Sequence, residues 1–365
     1  MKKFRILLAL LTLIIAASLL SGCTGAGATT TSSWPGLTMD AKAEVGYVAH
    51  GSHVYALNLT NGSQIWRFPS EPVKNQTFDA SPTLAGEDQL VFGSHDKKLF
   101  MVNQENGSQV WVNQDATNRF YAAPLVMNQI VYAPNTDNFL YALADGLLKW
   151  SHESDNALWA SPVTDGTVIY QAGMDHAVTA LDPETGEVIW KSEGLGAAIT
   201  GTPVLDINGR LYIGTLGGGV SSLDAANGEV VWQKKVSGWV FSSPLLHEGI
   251  LYFGDLEGYF YALEAETGKE IWSPVQPDTT STREISSTPA VIGDTIYFTN
   301  EGGNLFALDI TSGTTRWSKK FEFGKLYGPV QVLNDTIYLT PLGTGPIVVA
   351  LDANGNQRWE FKPAK

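Results

Sequence analysis

Eight times along this 365-residue chain a glycine is followed, four positions later, by a tryptophan. The pairs are Gly62/Trp66, Gly107/Trp111, Gly146/Trp150, Gly186/Trp190, Gly228/Trp232, Gly268/Trp272, Gly313/Trp317 and Gly355/Trp359. Successive tryptophans are separated by 45, 39, 40, 42, 40, 45 and 42 residues, and no copy breaks the four-residue spacing. A unit of about 40 residues repeated in phase over a whole chain limits the fold to architectures that stack or circularise one supersecondary element.

A second marker fills in the unit. Prolines stand at Pro35, Pro82, Pro124, Pro162, Pro203, Pro244, Pro289 and Pro329, mostly after a small residue. Each is followed by a run such as ILYFGD or TIYFT, then a turn, then FYALEA or LFALDI, then the glycine and the tryptophan. Apolar alternation with period two and turn signals every eight to twelve residues predict β structure throughout, with no helical periodicity beyond the first 22 residues. The unit predicts four strands: A carrying the proline, B with the aromatic alternation, C ending at Ala-Leu-Asp and D beginning at the tryptophan. Eight such units predict an all-β, eight-bladed β-propeller of four-stranded antiparallel blades. A parallel β-helix fits less well, because this repeat is twice the usual rung. Blade 1 is expected to start its own strand A near Trp34 and blade 8 to end its own strand D at Phe361, so that the ring closes by packing.

The phrase Ala-x-Asp-x-x-Thr-Gly-x-x-x-Trp resembles the tryptophan-docking motif of the PQQ-like propellers. ALDPETGEVIW (180–190) and ALEAETGKEIW (262–272) are its clearest copies. The likeness extends over residues 34–361. In YALADGLLKW (141–150) the hairpin is two residues shorter, and in VALDANGNQRW (349–359) one shorter. The resemblance implies that the sixteen glycines and tryptophans are structural: the glycine turns strand C into D, and the tryptophan docks one blade on the next. Burying roughly 150–250 Å² per ring at about 25 cal/mol/Å² gives an upper bound on the order of 4–6 kcal/mol for each.

The N-terminus carries a separate message. Lys2, Lys3 and Arg5 precede an apolar run from Ile6 to Leu20, followed by Leu20-Ser21-Gly22-Cys23. The run is short for a bilayer-spanning helix but suits a secretory leader, and the four residues resemble a bacterial lipobox. The expected organisation is a lipoprotein signal peptide at 1–22, a flexible tether at 23–33 and the propeller at 34–365. Cys23, the only cysteine, is the expected lipidation site and leaves no disulfide or thiolate metal site. Membrane lipid is thus one expected partner. Thr24 follows the cysteine, in place of the aspartate that signals inner-membrane retention in diderms. The expected location is the periplasmic side of the outer membrane in a diderm, or the outer face of the cytoplasmic membrane in a monoderm.

A formal net charge of −14 argues against nucleic acid as partner, since no basic stripe is present to replace counterions. The resemblance to PQQ-like propellers raises a quinoprotein dehydrogenase, but those enzymes carry adjacent cysteines, a carboxylate-held calcium and an aspartate base. One cysteine cannot make the pair. No cofactor or metal is expected. His50 and His53 form a polar edge, Gly217-Gly218-Gly219 is a turn without a following helix, and Asp255, Glu257, Asp294 and Asp335 fall in turns.

Without a catalytic constellation, function is expected in the loops. The D–A connections after Trp66 and Trp272 are the longest, with PSEPVKNQ (69–76) and PVQPDTTSTRE (274–284) as additions. Aromatic residues gather just before strand A: Phe78, Phe120, Tyr121, Trp159, Trp239, Phe241 and Tyr327. They suit either inter-blade core or an apolar mouth gripping a partner segment, with Arg119 and Arg283 placed to pair with acidic groups. A lipid-anchored chain of this kind is similar to the propeller lipoproteins of outer-membrane β-barrel assembly. That likeness implies a non-catalytic scaffold for an envelope protein or an extended client polypeptide; a general ligand-binding module and a PQQ-dependent dehydrogenase are the alternatives.

Overall fold

The computed structural model describes residues 36–364. The leader, Cys23, the tether, Trp34 and Pro35 lie outside the described residues. Eight antiparallel blades follow one another along the chain at 37–68, 83–113, 125–153, 163–191, 204–235, 245–275, 290–320 and 331–361. Every blade is made of consecutive strands paired in the order A-B-C-D, so none borrows a strand from the other end of the chain. No helix occurs among the described residues.

Three details differ from the sequence-based outline. The proline stands before strand A, not within it: Pro82 precedes Thr83–Ala85 and Pro244 precedes Leu245–His247. A residue with no N–H is tolerated where the ladder has not yet begun. The tryptophan is the third or fourth residue of strand D, as Trp66 is in Gln64–Phe68. Blade 6 has three regular strands; its outer segment is reduced to isolated bridges at Leu263–Glu270 and Phe260–Val275. Pro274 sits between those bridges and cannot donate to the ladder.

The C–D hairpin shows why the repeated phrase takes its form. Asp182 Oδ1 accepts from the amides of Glu184 and Thr185, at 2.8 and 2.9 Å, and Gly186 N–H closes the turn on Asp182 O at 2.9 Å. Asn58, Asn103 and Asp309 hold the same turn in other blades, and Asp352 a turn one residue shorter, closed by Gly355 N–H on Asp352 O at 2.9 Å. Directly above the turn, the seven regular C–D pairings share a one-residue register shift. This bulge re-aims strand D and leaves six of those seven tryptophans opposite alanine or serine, such as Ala56 for Trp66 and Ala180 for Trp190, while Trp111 faces Met101. In six blades the tryptophan also lies 5.8–6.2 Å from a strand-B tyrosine of its own blade.

Each tryptophan then reaches into the following blade. A Cβ built on Gly107 would stand 2.7 Å from Trp66, and one on Gly186 2.5 Å from Trp150. The same relation joins Trp111 to Gly146, Trp190 to Gly228, Trp232 to Gly268, Trp272 to Gly313 and Trp317 to Gly355. The glycine therefore serves twice. Its φ of about +70° admits no L side chain without strain, and its bare face seats the preceding blade's indole. Indole N–H groups cap carbonyls across the same seams, as Trp66 does on Gln104 O at 2.8 Å and Trp190 on Ala225 O at 3.0 Å.

The core is divided accordingly. Eight buried clusters occur, one at each seam; that between blades 8 and 1 contains Leu37, Val48, Tyr55, Tyr338, Val348 and Phe361. Trp359 donates to Leu59 O at 3.0 Å and Gln331 Nε2 to Leu37 O, which ties the last blade to the first. Closure by packing is what the structure displays.

Candidate functional site

The D–A loops and B–C turns share one face of the disc, and the starts of the inner strands line its centre. A cavity of about 180 Å³ opens there. Its wall is supplied by seven blades: Gly36, Ser81, Ala123, Ser161, Thr202 and Pro329 form a narrow throat, with Tyr121, Trp159, Thr200 and Phe241 around it. No charged side chain lines the cavity.

The register that builds this collar is simple. In blades 3 to 6 the residue three before the proline faces the centre: Tyr121 before Pro124, Trp159 before Pro162, Thr200 before Pro203 and Phe241 before Pro244. Tyr121 and Trp159 meet with ring centroids 5.3 Å apart, and Trp159 is 36% exposed. Arg119 Nη1 donates to the Tyr121 hydroxyl at 3.3 Å.

In blade 2 the same position is Asp79, which is fully buried. Its ion-pair partner is His95 Nε2, from the B–C turn of its own blade, and no hydrogen bond of ordinary geometry reaches either carboxylate oxygen. The His95 ring stands edge-on to Tyr121 at 4.8 Å. A line of contacts thus runs from a buried carboxylate through an imidazole and a phenol to an exposed indole. His50 lies close enough to feel Asp79. Burial pushes its pKa below the ordinary histidine value, the carboxylate only partly opposing this, and its Nε2 has no hydrogen-bond partner.

The remaining candidates are distributed differently. Phe120 is buried in the seam between blades 2 and 3, and Phe78 in that between blades 1 and 2, so both belong to the core. Trp239 is 57% exposed on its loop but outside the cavity lining. Tyr327 accepts from Lys325 Nζ at 2.6 Å. Arg283 is already engaged: it donates to Glu257 Oε2 and to Glu257 O, both at 2.7 Å, folding the long 274–284 loop onto blade 6. It is a loop clamp here, not a waiting cation.

Asp255 and Glu257 prove to lie in a B–C turn on the collar face, whereas Asp294 and Asp335 lie in A–B turns on the opposite face. Buried Asp255 is fully satisfied by the amides of Gly238, Glu257 and Tyr259 and the hydroxyl of Tyr261. No group of three or more His, Cys, Asp or Glu residues is arranged to hold a metal ion among the described residues. The opposite face is strongly acidic: the A–B and C–D turns hold sixteen Asp or Glu residues against Lys42 and Lys269, so it favours basic over acidic partners.

A family model described as outer membrane protein assembly factor BamB matches residues 50–173, 174–325 and 279–365. The chain belongs to this family. The crystal structure of BamB from Moraxella catarrhalis superposes with a TM-score of 0.72 at 18% identity, covering 86% of this chain and 94% of that one. The computationally designed Ika8 protein gives the same TM-score at 13% identity, covering 84% and 93%. At such identities these two likenesses concern the propeller alone. No curated protein matches the sequence. Within the BamB family frame, the parts of this chain that depart from a uniform repeat are the collar, the two long D–A loops and the shortened hairpin of blade 3.

Proposed function

We propose that this chain is a lipid-anchored, non-catalytic propeller scaffold for protein–protein interaction in the bacterial cell envelope. Residues 1–22 are the leader, acylated Cys23 holds the protein to the membrane, 23–33 are the tether and 34–365 the disc. Two acyl signals on one cysteine give stable anchoring where a single chain would not. The outer-membrane assembly role named by the family description is the reading that fits a diderm host, on the periplasmic side of its outer membrane.

The observation that carries this reading is the uncharged collar. A rigid ring presents Tyr121, Trp159 and Phe241 over a throat of small hydroxyl and alanine residues. Such a surface offers aromatic anchors and shape, the ingredients of polypeptide recognition. It does not suit pyrroloquinoline quinone. That cofactor carries three carboxylates and works with calcium, whereas the collar lining has no cation and no carboxylate, and the only cysteine is Cys23.

Membrane fractionation and affinity capture test the proposal. Cys23→Ser should move the protein from the membrane to the soluble fraction. The acylated chain should capture a barrel-assembly component from a diderm envelope, and Trp159→Ser with Tyr121→Ser should reduce that recovery. Continued membrane retention of Cys23→Ser overturns the anchor; capture indifferent to the collar substitutions overturns the site.

A further inference from the structure

The outer strand of blade 3, Leu147–Glu153, is the longest strand of the described chain and is paired on one side only. Its length follows from the hairpin that departs from the repeat. Asp145 and Gly146 form a two-residue turn with φ of 50° and 77°, the geometry of a tight hairpin, so strand D starts at once. Five of its seven residues are exposed, among them Leu147 at 75% and Leu148 at 45%.

An open edge of this kind is normally blunted by lysine, proline or brevity. The other outer strands comply. Blade 1 has Arg67 and stops at Pro69; blade 4 has four residues ending at Lys191; blade 5 ends in Lys234 and Lys235; blade 6 is interrupted by Pro274. Blades 7 and 8 carry Arg316, Lys319, Lys320 and Arg358. Blade 2 has an uncharged outer strand, but three of its five residues are shielded. In Leu147–Glu153 the single lysine, Lys149, pairs with Glu184 of blade 4 at 3.2 Å, much as Lys191, Lys234 and Arg316 pair with acids in other blades, so what sets this strand apart is its length and the exposure of Leu147. Acids without ion pairs, Asp145 and Glu153, mark the two ends.

We propose that Leu147–Glu153 is a docking strand for an extended segment of another protein, aliphatic at alternate positions and basic at both ends. The proposal rests on the scaffold reading and specifies one partner surface for it. Strand addition would satisfy the free backbone groups and the terminal cations would meet Asp145 and Glu153; Leu147 and Leu148, as successive strand residues, point to opposite faces, so the aliphatic row of the segment would meet one of them. At about 3.3 Å per residue the strand runs about 20 Å from Leu147 to Glu153, with Asp145 in the turn just beyond its start, so the segment is about seven to nine residues long. A second copy of this chain fits poorly, because antiparallel pairing of two such strands sets Glu153 of one beside Asp145 of the other, like charge against like.

The probe is a labelled nine-residue peptide of alternating valine and threonine with a lysine at each end, added to the full chain in detergent. It should bind saturably and slow amide exchange within 147–153, and a proline at its centre should abolish both effects. Leu147→Lys with Leu148→Lys should weaken binding at least ten-fold while the circular dichroism spectrum is unchanged. Glu153→Lys should weaken it too, and a peptide with glutamate at the facing end should recover the loss. Absence of binding, protection of another strand, or a double variant that binds like the parent overturns the proposal. So does a self-association that the double variant removes, which makes a second copy the occupant. Envelope capture unaffected by the double variant removes the docking strand and leaves the scaffold reading standing.

Discussion

Trp359 of the last blade lies against Gly62 of the first, where a Cβ would come within 2.4 Å of its ring. The contact is the one that joins every other pair of blades, now made between residues nearly 300 positions apart. It makes the ring's closing seam an ordinary seam.

Gly62→Ala should destabilise the fold by roughly 2–4 kcal/mol, combining left-handed strain with overpacking. Gly86 has a similar φ of 72° but open space around it, so Gly86→Ala should cost only the strain, roughly 1–2 kcal/mol. Urea midpoints of the two variants measure the difference. Equal midpoints would remove the seating role of the glycine.

Trp359→Ala and Trp190→Ala should each lose roughly 3–5 kcal/mol, and by similar amounts. If Trp359→Ala is much the more damaging in the same urea titration, closure depends on something beyond the shared contact.

The pH response should have two stages. Burial holds His50, His53 and His152 below the ordinary histidine value; each pKa is lower folded than unfolded, so their contribution is complete above about pH 6.5 and falls as the unfolded chain takes up the protons first. The turn carboxylates Asp182, Asp224 and Asp352 sit below the ordinary range, chiefly through amide hydrogen bonds. Asp309 is pushed down to about 2 by hydrogen bonds from Arg316 and then Ser312. Depressed carboxylates stabilise above their unfolded values and lose that effect as pH falls from about 4 toward 2. Thermal melts should therefore be flat between about pH 7 and 9, decline below about 6.5 and steepen below about 4. His50→Gln should reduce the first stage and leave the second unchanged.

Asp79→Ala should cost about 1–3 kcal/mol by leaving His95 without its partner in a buried site. Collar variants should feel it too: the cost of Tyr121→Ala should fall in the Asp79→Ala background, since the imidazole edge that packs on the phenol is no longer fixed. A double-mutant cycle reads this coupling directly, and strict additivity would argue against the line of contacts from Asp79 to Trp159.

Blade number, strand order and the place of the sharp turns were legible because each depends on local chemistry repeated in phase. Gly186 needs its positive φ whatever surrounds it, and the alternation in ILYFGD needs a two-sided strand. What lay beyond reach was which partner each group meets. Trp150 seats on Gly186 across a seam, a relation set by the ring and not by the four-residue spacing to Gly146. Arg283 appeared available because Glu257, its partner, stands 26 positions earlier in another turn. The collar was partly legible: position three before the proline picks out Tyr121, Trp159 and Phe241. Asp79 escaped notice there because an acid among aromatics carries no apolar signal, and Phe120, one residue away from Tyr121, points into the core.

Since every blade is assembled from neighbouring strands, the chain could in principle be joined end to end and reopened in any D–A loop without dividing a sheet. The disc would keep its contacts, but the first and last described strands would belong to a different sector of the ring. The position of the break between blades 8 and 1 thus acts as a compass setting: it decides which sector of an otherwise uniform ring carries the two ends of the chain, and which blades stand opposite them.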